Sequence, residues 1–359
     1  MSAHQSQLAI GVDVGGTKIA AGIVRSDGQI VARTRQAMVA NGTAAAGFSA
    51  VVNAINIVRE QAPSEGDPST IEAIGICSPG PLDPRTGTVL NPPNLPCWRN
   101  FPLGESLATR FGLPARVDND ANAAGSAEAL WGAGRGYRNV FYVTIGTGIG
   151  TAIVLDQKIH HGRTGAAGEG GHLSIDRNGP LCACGKKGCI EAFASGPAIA
   201  KRAKAQLREN NKSVLLQITQ GKPEDVTSEL VGQAAHEGDA LSLDVLHKTD
   251  DLLAFWLGNI IDLLEPEIII IGGGVGQMLQ SHLPDIQALL RRYCLNQRCA
   301  EIPLVPAQFA KTPGSPAPLL SASVLIRCPS RYFHDNALNP ARFAPSSLLK
   351  VLRRQQLAQ

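Results

Sequence analysis

Asp13-Val14-Gly15-Gly16-Thr17-Lys18 sets a carboxylate, two glycines, a hydroxyl and an ammonium between two apolar runs. Glycines let backbone N–H groups approach a phosphate, a hydroxyl can donate to one, and a carboxylate at a strand end can hold Mg2+ directly or through water. The spacing is neither that of G-x-x-x-x-G-K-[ST] nor that of a strand-to-helix G-x-G-x-x-G turn, and taken alone it would pass for an ordinary hairpin. A second copy, Thr144-Ile145-Gly146-Thr147-Gly148-Ile149-Gly150, changes the balance, because two such hairpins can grip a polyphosphate from both sides. A third run, Gly272-Gly273-Gly274-Val275, follows an apolar strand and can pass beneath an adenine or ribose.

Asn119-Asp120-Ala121-Asn122 puts a carboxylate where a strand gives way to a helix. Asn or Asp there is also what a helix cap needs. Phosphoryl transfer to an alcohol needs an acceptor for the hydroxyl proton, and Asp120 is the best-placed candidate base. The strongest local signal is Gly165-Ala166-Ala167-Gly168-Glu169-Gly170-Gly171-His172 followed by Cys182, Cys184 and Cys189. One imidazole and three thiolates complete a closed tetrahedral zinc site, with Gly185 and Gly188 easing the knuckle, so the metal is expected to hold a loop and not to activate water. A zinc-bound His172 keeps one ring nitrogen for a substrate hydroxyl. Glu169 and Glu191 flank the knuckle, and carboxylates facing vicinal hydroxyls read a sugar's stereochemistry. His160-His161, His236, His247 and His282 have no partner pattern and are expected at the surface or in packing roles.

The elements that must position these groups follow from periodicity and punctuation. LAIGVDVGGTKIAAGIVRSDGQIVAR predicts strand, glycine turn, strand, an Asp27-Gly28 turn and a third strand. Phe48, Val51, Val52, Ile55 and Val58 have helical spacing within 44–61, and IEAIGIC is a buried strand that empties into a Pro/Gly loop. LGESLATRF reads as a helix ended by Gly112, and PARVD as a strand before a helix that starts near Ala121. NVFYVTIGTGIGTAIVL repeats the opening plan, which suggests an internally duplicated fold. Beyond residue 190 the chain is mostly helical, with its clearest span from about Leu246 to Leu264, before Pro266 and the strand EIIII. From about Lys311 the periodicity fades and low order is expected, apart from a final helix SSLLKVLRRQQL.

The 359 residues are 44% hydrophobic and 18% charged, a globular composition long enough for two cores. No apolar run is long enough to span a membrane, and MSAHQSQLAIGVDVGG lacks the parts of a secretory signal, so a cytoplasmic location is expected. The net charge of +3 belongs to the tail: residues 327–359 hold six basic residues against Asp335 alone, leaving −2 before them and no basic footprint for nucleic acid. Three of the eight cysteines fall within eight residues, which in a cytosolic chain suggests metal before disulfides.

With these residues assembled, the chain closely resembles the ROK family of repressors and sugar kinases, in the actin-like ATPase superfamily. The segments that carry the resemblance are DVGGTK, SPGPLD, NPPNLPCW, DNDANAAGSAE, TIGTGIG, GAAGEGGH, CACGKKGC with IEA, and IIIIGGGV, spread from about Leu8 to about Ala310. The resemblance implies a two-lobed α/β fold of the actin-like (ribonuclease H-like) type with an interlobe cleft. Residues 1–119 would form one lobe, 120–310 the other, and 311–359 an atypical basic tail in place of the family's usual closing helix.

It further implies ATP and Mg2+ on the hairpins and a hexose at the junction. Asp120 would be the base, with Gly80, Asn119, Glu169, His172 and Glu191 at the sugar, and His172, Cys182, Cys184 and Cys189 as zinc ligands. The implied reaction is phosphorylation of a hexose 6-hydroxyl, with glucose first and N-acetylmannosamine, N-acetylglucosamine, fructose or allose as alternatives. A homodimer or homotetramer is the assembly expected. A DNA-binding repressor, a non-catalytic sugar sensor and a polyphosphate-dependent kinase are the rival readings.

Overall fold

The computed structural model describes residues 8–61, 71–209 and 212–309, together with Leu319, Ala322 and Ser323. The chain opens with β1 (Leu8–Val14), β2 (Lys18–Arg25) and β3 (Ile30–Ala37), an antiparallel meander. Asp27 shapes the second turn by accepting from Gln29 N at 2.9 Å, and Gly28 takes a φ of 91° there. Next come α1 (Ala44–Glu60), capped by the Thr43 hydroxyl, and β4 (Ile71–Cys77). A small hairpin of β5 (Leu82–Asp83) and β6 (Thr88–Val89) precedes α2 (Leu103–Phe111) and β7 (Ala115–Asp118). The strands assemble in the order β3-β2-β1-β4-β7, with β4 parallel to β1 and β7 parallel to β4.

After α3 (Asp120–Trp131) the plan repeats. The strands β8 (Val140–Ile145), β9 (Ile149–Leu155) and β10 (Lys158–Ile159) form a second meander. Helices follow: α4 (Glu191–Ala194), α5 (Gly196–Glu209), α6 (Val214–Ile218), α7 (Ser228–His236) and α8 (Ala240–Leu264). Then come β11 (Ile268–Gly272), α9 (Gly273–Met278), α10 (Leu283–Leu289) and β12 (Leu304–Pro306). The second sheet runs β10-β9-β8-β11-β12, again with its last two strands parallel to the first of the meander. Each sheet has its own core: Ile10, Ile19, Ile55, Ile74 and Trp98 in the first, Phe141, Trp256, Leu257 and Ile269 in the second.

Two elements depart from the sequence expectations. Helix α8 begins near Ala240, not near Leu246, because Asp239 accepts from Ser242 N at 2.9 Å and from its hydroxyl at 2.7 Å, a cap ahead of the apolar stripe. Low order was expected from Lys311 onward, yet Leu319, Ala322 and Ser323 are helical and buried. They lie on the first sheet, where the register aligns Gly22, Gly11 and Gly75 across β2, β1 and β4. A Cβ on Gly11 would collide with the Leu319 carbonyl, and one on Gly22 would sit 2.8 Å from Leu319 Cδ1. Ala322 packs with Cys77 and Ala123, between that sheet and α3. The remainder of 311–359, including the expected final helix, lies outside the described residues.

Candidate functional site

The first sheet delivers its chemistry at the carboxyl ends of its parallel strands. Asp13 stands level with Cys77, and Cys77 with Asp118, so the turn after β1, the Ser78–Gly80 loop and Asn119–Asp120 leave the same edge. Open α/β sheets bind ligands at this kind of edge. Ser78 N donates to Asp118 O at 3.0 Å, which sets the Gly80 loop beside Asn119. In the first glycine hairpin Gly15 N donates to Lys18 O at 2.9 Å. Gly16 lies against the backbone of Asn94 in the NPPNLPCW loop, where a Cβ would be 2.8 Å from the Asn94 carbonyl oxygen. Thr17 and Lys18 are exposed.

Asn119 and Asp120 divide their duties. Asn119 is the cap of α3, its Oδ1 accepting from Asn122 N at 2.7 Å. Asp120 is the first helical residue and is exposed, so the carboxylate is not the capping group. The helix lies on the second sheet, where Gly125 faces Tyr142 and Ala152. Its first turn reaches the second hairpin: a Cβ on Gly150 would lie 3.2 Å from Ala121 Cβ.

That second hairpin, with Gly146 N donating to Gly148 O at 2.9 Å, is tied to the residues after the knuckle. Ile149 N donates to Glu191 Oε2 at 2.9 Å, a Cβ on Gly148 would be 2.5 Å from the same oxygen, and Gly196 N donates to Gly146 O at 2.8 Å. The other Glu191 oxygen is 3.5 Å from Cys182 Sγ and 3.8 Å from His172 Nδ1. One carboxylate thus touches both the hairpin and the Cys/His cluster. Helix α4, which carries it, is held by the half-buried Arg202, whose guanidinium donates to Phe193 O and to Thr249 Oγ1 of α8. Burial lowers the Arg202 pKa to about 10, which leaves it charged at neutral pH.

The ligand atoms of His172, Cys182, Cys184 and Cys189 all lie within 4.8 Å of one another. Cys184 Sγ and Cys189 Sγ are 3.7 Å apart, and Cys182 Sγ is 3.6 Å from His172 Nδ1. A Zn–S bond of about 2.3 Å in a tetrahedron implies sulfur–sulfur edges of roughly 3.8 Å, so the donor set and its spacing fit zinc. Burial pushes the Cys182 thiol up to about 12 and raises Cys189, while the Lys186 N–H beside Cys184 lowers that thiol. Metal binding at such thiols releases protons.

The loop between hairpin and cluster is fastened to β9 and α8. Thr151 Oγ1 donates to Gly168 O at 2.5 Å and accepts from Gly170 N at 2.9 Å, and Trp256 Nε1 donates to Gly170 O at 3.1 Å. Glu169 is exposed between these anchors and His172 is half-buried. The third glycine run joins the same region, since Gly272 pairs with Thr144. Gly273 has a φ of 84° and would collide with Ile145 O if it carried a Cβ, whereas Gly274 faces open space.

Contacts thus link Thr144, the second hairpin, Ala121 beside Asp120, Glu169, His172, Glu191 and Gly273, and the Ser78–Gly80 loop leaves the first sheet's edge next to Asp118. Sequence reasoning missed His161, expected to be a surface or packing residue: its Nε2 is 2.6 Å from Asp118 Oδ2. It also missed His282, which sits 2.8 Å from the buried Asp250. Both partners are too distant in sequence to form a local pattern. Among the described residues no helix is long and apolar enough to cross a membrane.

The ROK family model matches residues 9–325, past Ala310 and through the three helical residues on the glycine row. A glucokinase of Thermotoga maritima is 36% identical over 269 residues, 75% of this chain and 82% of its own. A glucokinase of Streptomyces coelicolor is 34% identical over 325 residues, 90% and 98% of the two chains. Among solved structures, a ROK family glucokinase from Streptomyces griseus in complex with glucose and AMPPNP superposes with a TM-score of 0.71 at 34% identity, covering 89% of this chain and 98% of that one. The chain belongs to the ROK family.

Proposed function

We propose that this protein transfers the γ-phosphoryl group of ATP to the 6-hydroxyl of a hexose, with D-glucose as the substrate. One observation carries the reading: the exposed Asp120 opens α3 directly after its Asn119 cap, at the end of β7 and at the start of a helix that touches the second glycine hairpin. Asp120 accepts the hydroxyl proton as the oxygen turns toward phosphorus. Asn119, Glu169, His172 and Glu191 bind and orient the sugar hydroxyls beside Gly80, because two carboxylates and an imidazole on anchored loops match a polyol. Backbone N–H groups of Gly16, Thr17, Thr147 and Gly148 cradle the phosphates, with Gly15 and Gly146 closing the hairpins, Lys18, Thr144 and Gly150 at their margins, and Gly273 and Gly274 under the adenosine.

Asp13 would hold Mg2+, which when bound would neutralise charge on the phosphates. His172, Cys182, Cys184 and Cys189 would hold zinc, which would fix the loop that carries Glu169 and His172. We assign residues 1–119 and 120–310 to the two lobes, a reading supported by the packing of α3 on the second sheet, and a homodimer or homotetramer in the cytoplasm as the working form.

Coupled detection of ADP over a panel of hexoses and hexosamines tests this reading, with ATP and polyphosphate compared in the same assay. Glucose with ATP should give the highest kcat/KM; absence of turnover with every sugar would overturn it. Asp120→Asn should lower kcat by roughly a thousandfold or more and leave glucose affinity within about tenfold, because orientation survives when basicity is lost.

A further inference from the structure

We infer that His161 is a positioning residue for the transfer reaction, holding the segment 161–168 of the second half against the strand end that carries Asn119 and Asp120. The inference rests on the kinase reading above. Strand β7 is the edge of the first sheet and β10 the edge of the second. His161 follows β10 by two residues, and its Nε2 donates to Asp118 Oδ2 across a gap of 2.6 Å. Asp118 is buried, and its other oxygen accepts from Asn119 N at 2.8 Å and from Asn122 Nδ2 at 2.9 Å. A single carboxylate therefore organises the first turn of the helix that begins at Asp120 and receives the imidazole from the opposite sheet.

The segment that starts at His161 is short and closed upon itself. Ala167 N donates to His161 O at 3.1 Å, and Gly168 O is held by Thr151, so movement of His161 is passed on toward Glu169. Midway, Gly165 takes a φ of 90° and lies so close to Pro84 that an added Cβ would come within 2.8 Å of Pro84 Cγ. Pro84 directly follows β5, close in sequence to Gly80. The segment thus touches first-half residues at Asp118 and at Pro84, and its far end presents Glu169. Its contact with Asp118 sets how far the base stands from the hydroxyl ligands on the second sheet. Misplacement of reacting groups by about 1 Å can cost 10²-fold in rate. Trp98 and Trp256, by contrast, sit in cores that this pair does not enter.

The test compares wild type with His161→Ala, His161→Asn and His161→Gln in steady-state kinetics with glucose and ATP. Wild-type turnover establishes the kinase reading first, so an inactive wild type refutes that reading, whereas an unaffected variant refutes this inference. Ala has no donor and Asn stops short of Asp118, whereas the Gln amide can reach it. His161→Ala and His161→Asn should each lose about tenfold or more in kcat and raise the glucose KM several-fold, with ATP KM within about twofold. Zinc content should stay at the wild-type value, and His161→Gln should recover most of kcat. Kinetics within about twofold of wild type for Ala or Asn would overturn the inference, as would a Gln variant no better than Asn, since positioning effects of this kind read out in kcat. If Ala fails to fold, the Asn and Gln pair decides the matter.

Discussion

The two halves repeat one strand plan but place glycine on opposite sides of the same contact. In the first sheet the row Gly22–Gly11–Gly75 is bare, and the helical residues Leu319, Ala322 and Ser323 are brought down onto it. In the second sheet the corresponding row, counted from the hairpin, is Ala152–Tyr142–Ile270, and the glycine is Gly125 on the covering helix α3. Either arrangement lets a helix backbone approach a sheet closely; which partner gives up its side chain is free to differ. Duplication of a fold therefore conserves the geometry of approach without conserving the residue that permits it. The halves differ in chemistry too. The knuckle, Glu169, His172 and Glu191 all lie in the second half, and the first contributes its hairpin, the Gly80 loop and the strand end before Asp120.

The largest effect separating the halves should come from the metal. Cys184→Ser, or chelation of the wild type, should abolish zinc binding and weaken glucose binding by more than about a hundredfold, because the loop bearing Glu169 and His172 loses its tether. Fluorescence separates the halves: Trp256, which donates to Gly170 O, should change, whereas Trp98 in the first core should not. Single-tryptophan variants measure this, and an equal response from Trp98 would dissolve the distinction.

Next in size is Gly11→Val, which drives a branched side chain into the Leu319 carbonyl and should destabilise the protein by about 3 kcal/mol or more in urea unfolding. Gly125→Ala should cost less, about 1–2 kcal/mol, because its methyl meets Ala152 Cβ at 2.6 Å while the helix gains propensity. The double variant Gly125→Ala, Ala152→Gly moves the glycine from helix to strand, as in the first half. It should recover at least half of that loss; strictly additive destabilisation would show that the two contacts are not equivalent.

Much of this was legible locally. The hairpins, α1, the Asp27-Gly28 turn and the Cys/His cluster announce themselves because each is decided within a few residues by turn chemistry, apolar period or ligand spacing. Asp120 was legible as a candidate, but that Asn119 is the cap of α3 follows only from its accepting from Asn122 N. Three features escaped. The glycine row exists only once the register brings residues 11, 22 and 75 side by side. Leu319, Ala322 and Ser323 are helical in a Pro-interrupted stretch that reads as low order, because burial on that row outweighs local propensity. The partner of His161 lies 43 residues away on the edge of another sheet, where no spacing rule reaches.

The smallest effect probes the helices of the second half. There His282 Nδ1 is 2.8 Å from Asp250 Oδ2, with Asp285 and His247 nearby. The Asp250 hydrogen bond and charge raise the His282 pKa above 6.5, despite opposing burial. Burial likewise leaves the Asp250 carboxyl above its usual value, although His282 lowers it. In both groups the folded state holds its proton more tightly than the unfolded chain, so stability falls as pH rises through the folded values. The histidine contribution is complete below pH 6.5 and is lost as pH rises through the raised folded value, in the window a neutral-pH titration samples. The urea midpoint should thus be slightly lower at pH 8 than at pH 6. His282→Gln should flatten that part of the profile. A steeper slope in the variant would show that the imidazolium is not what the buried carboxylate stabilises.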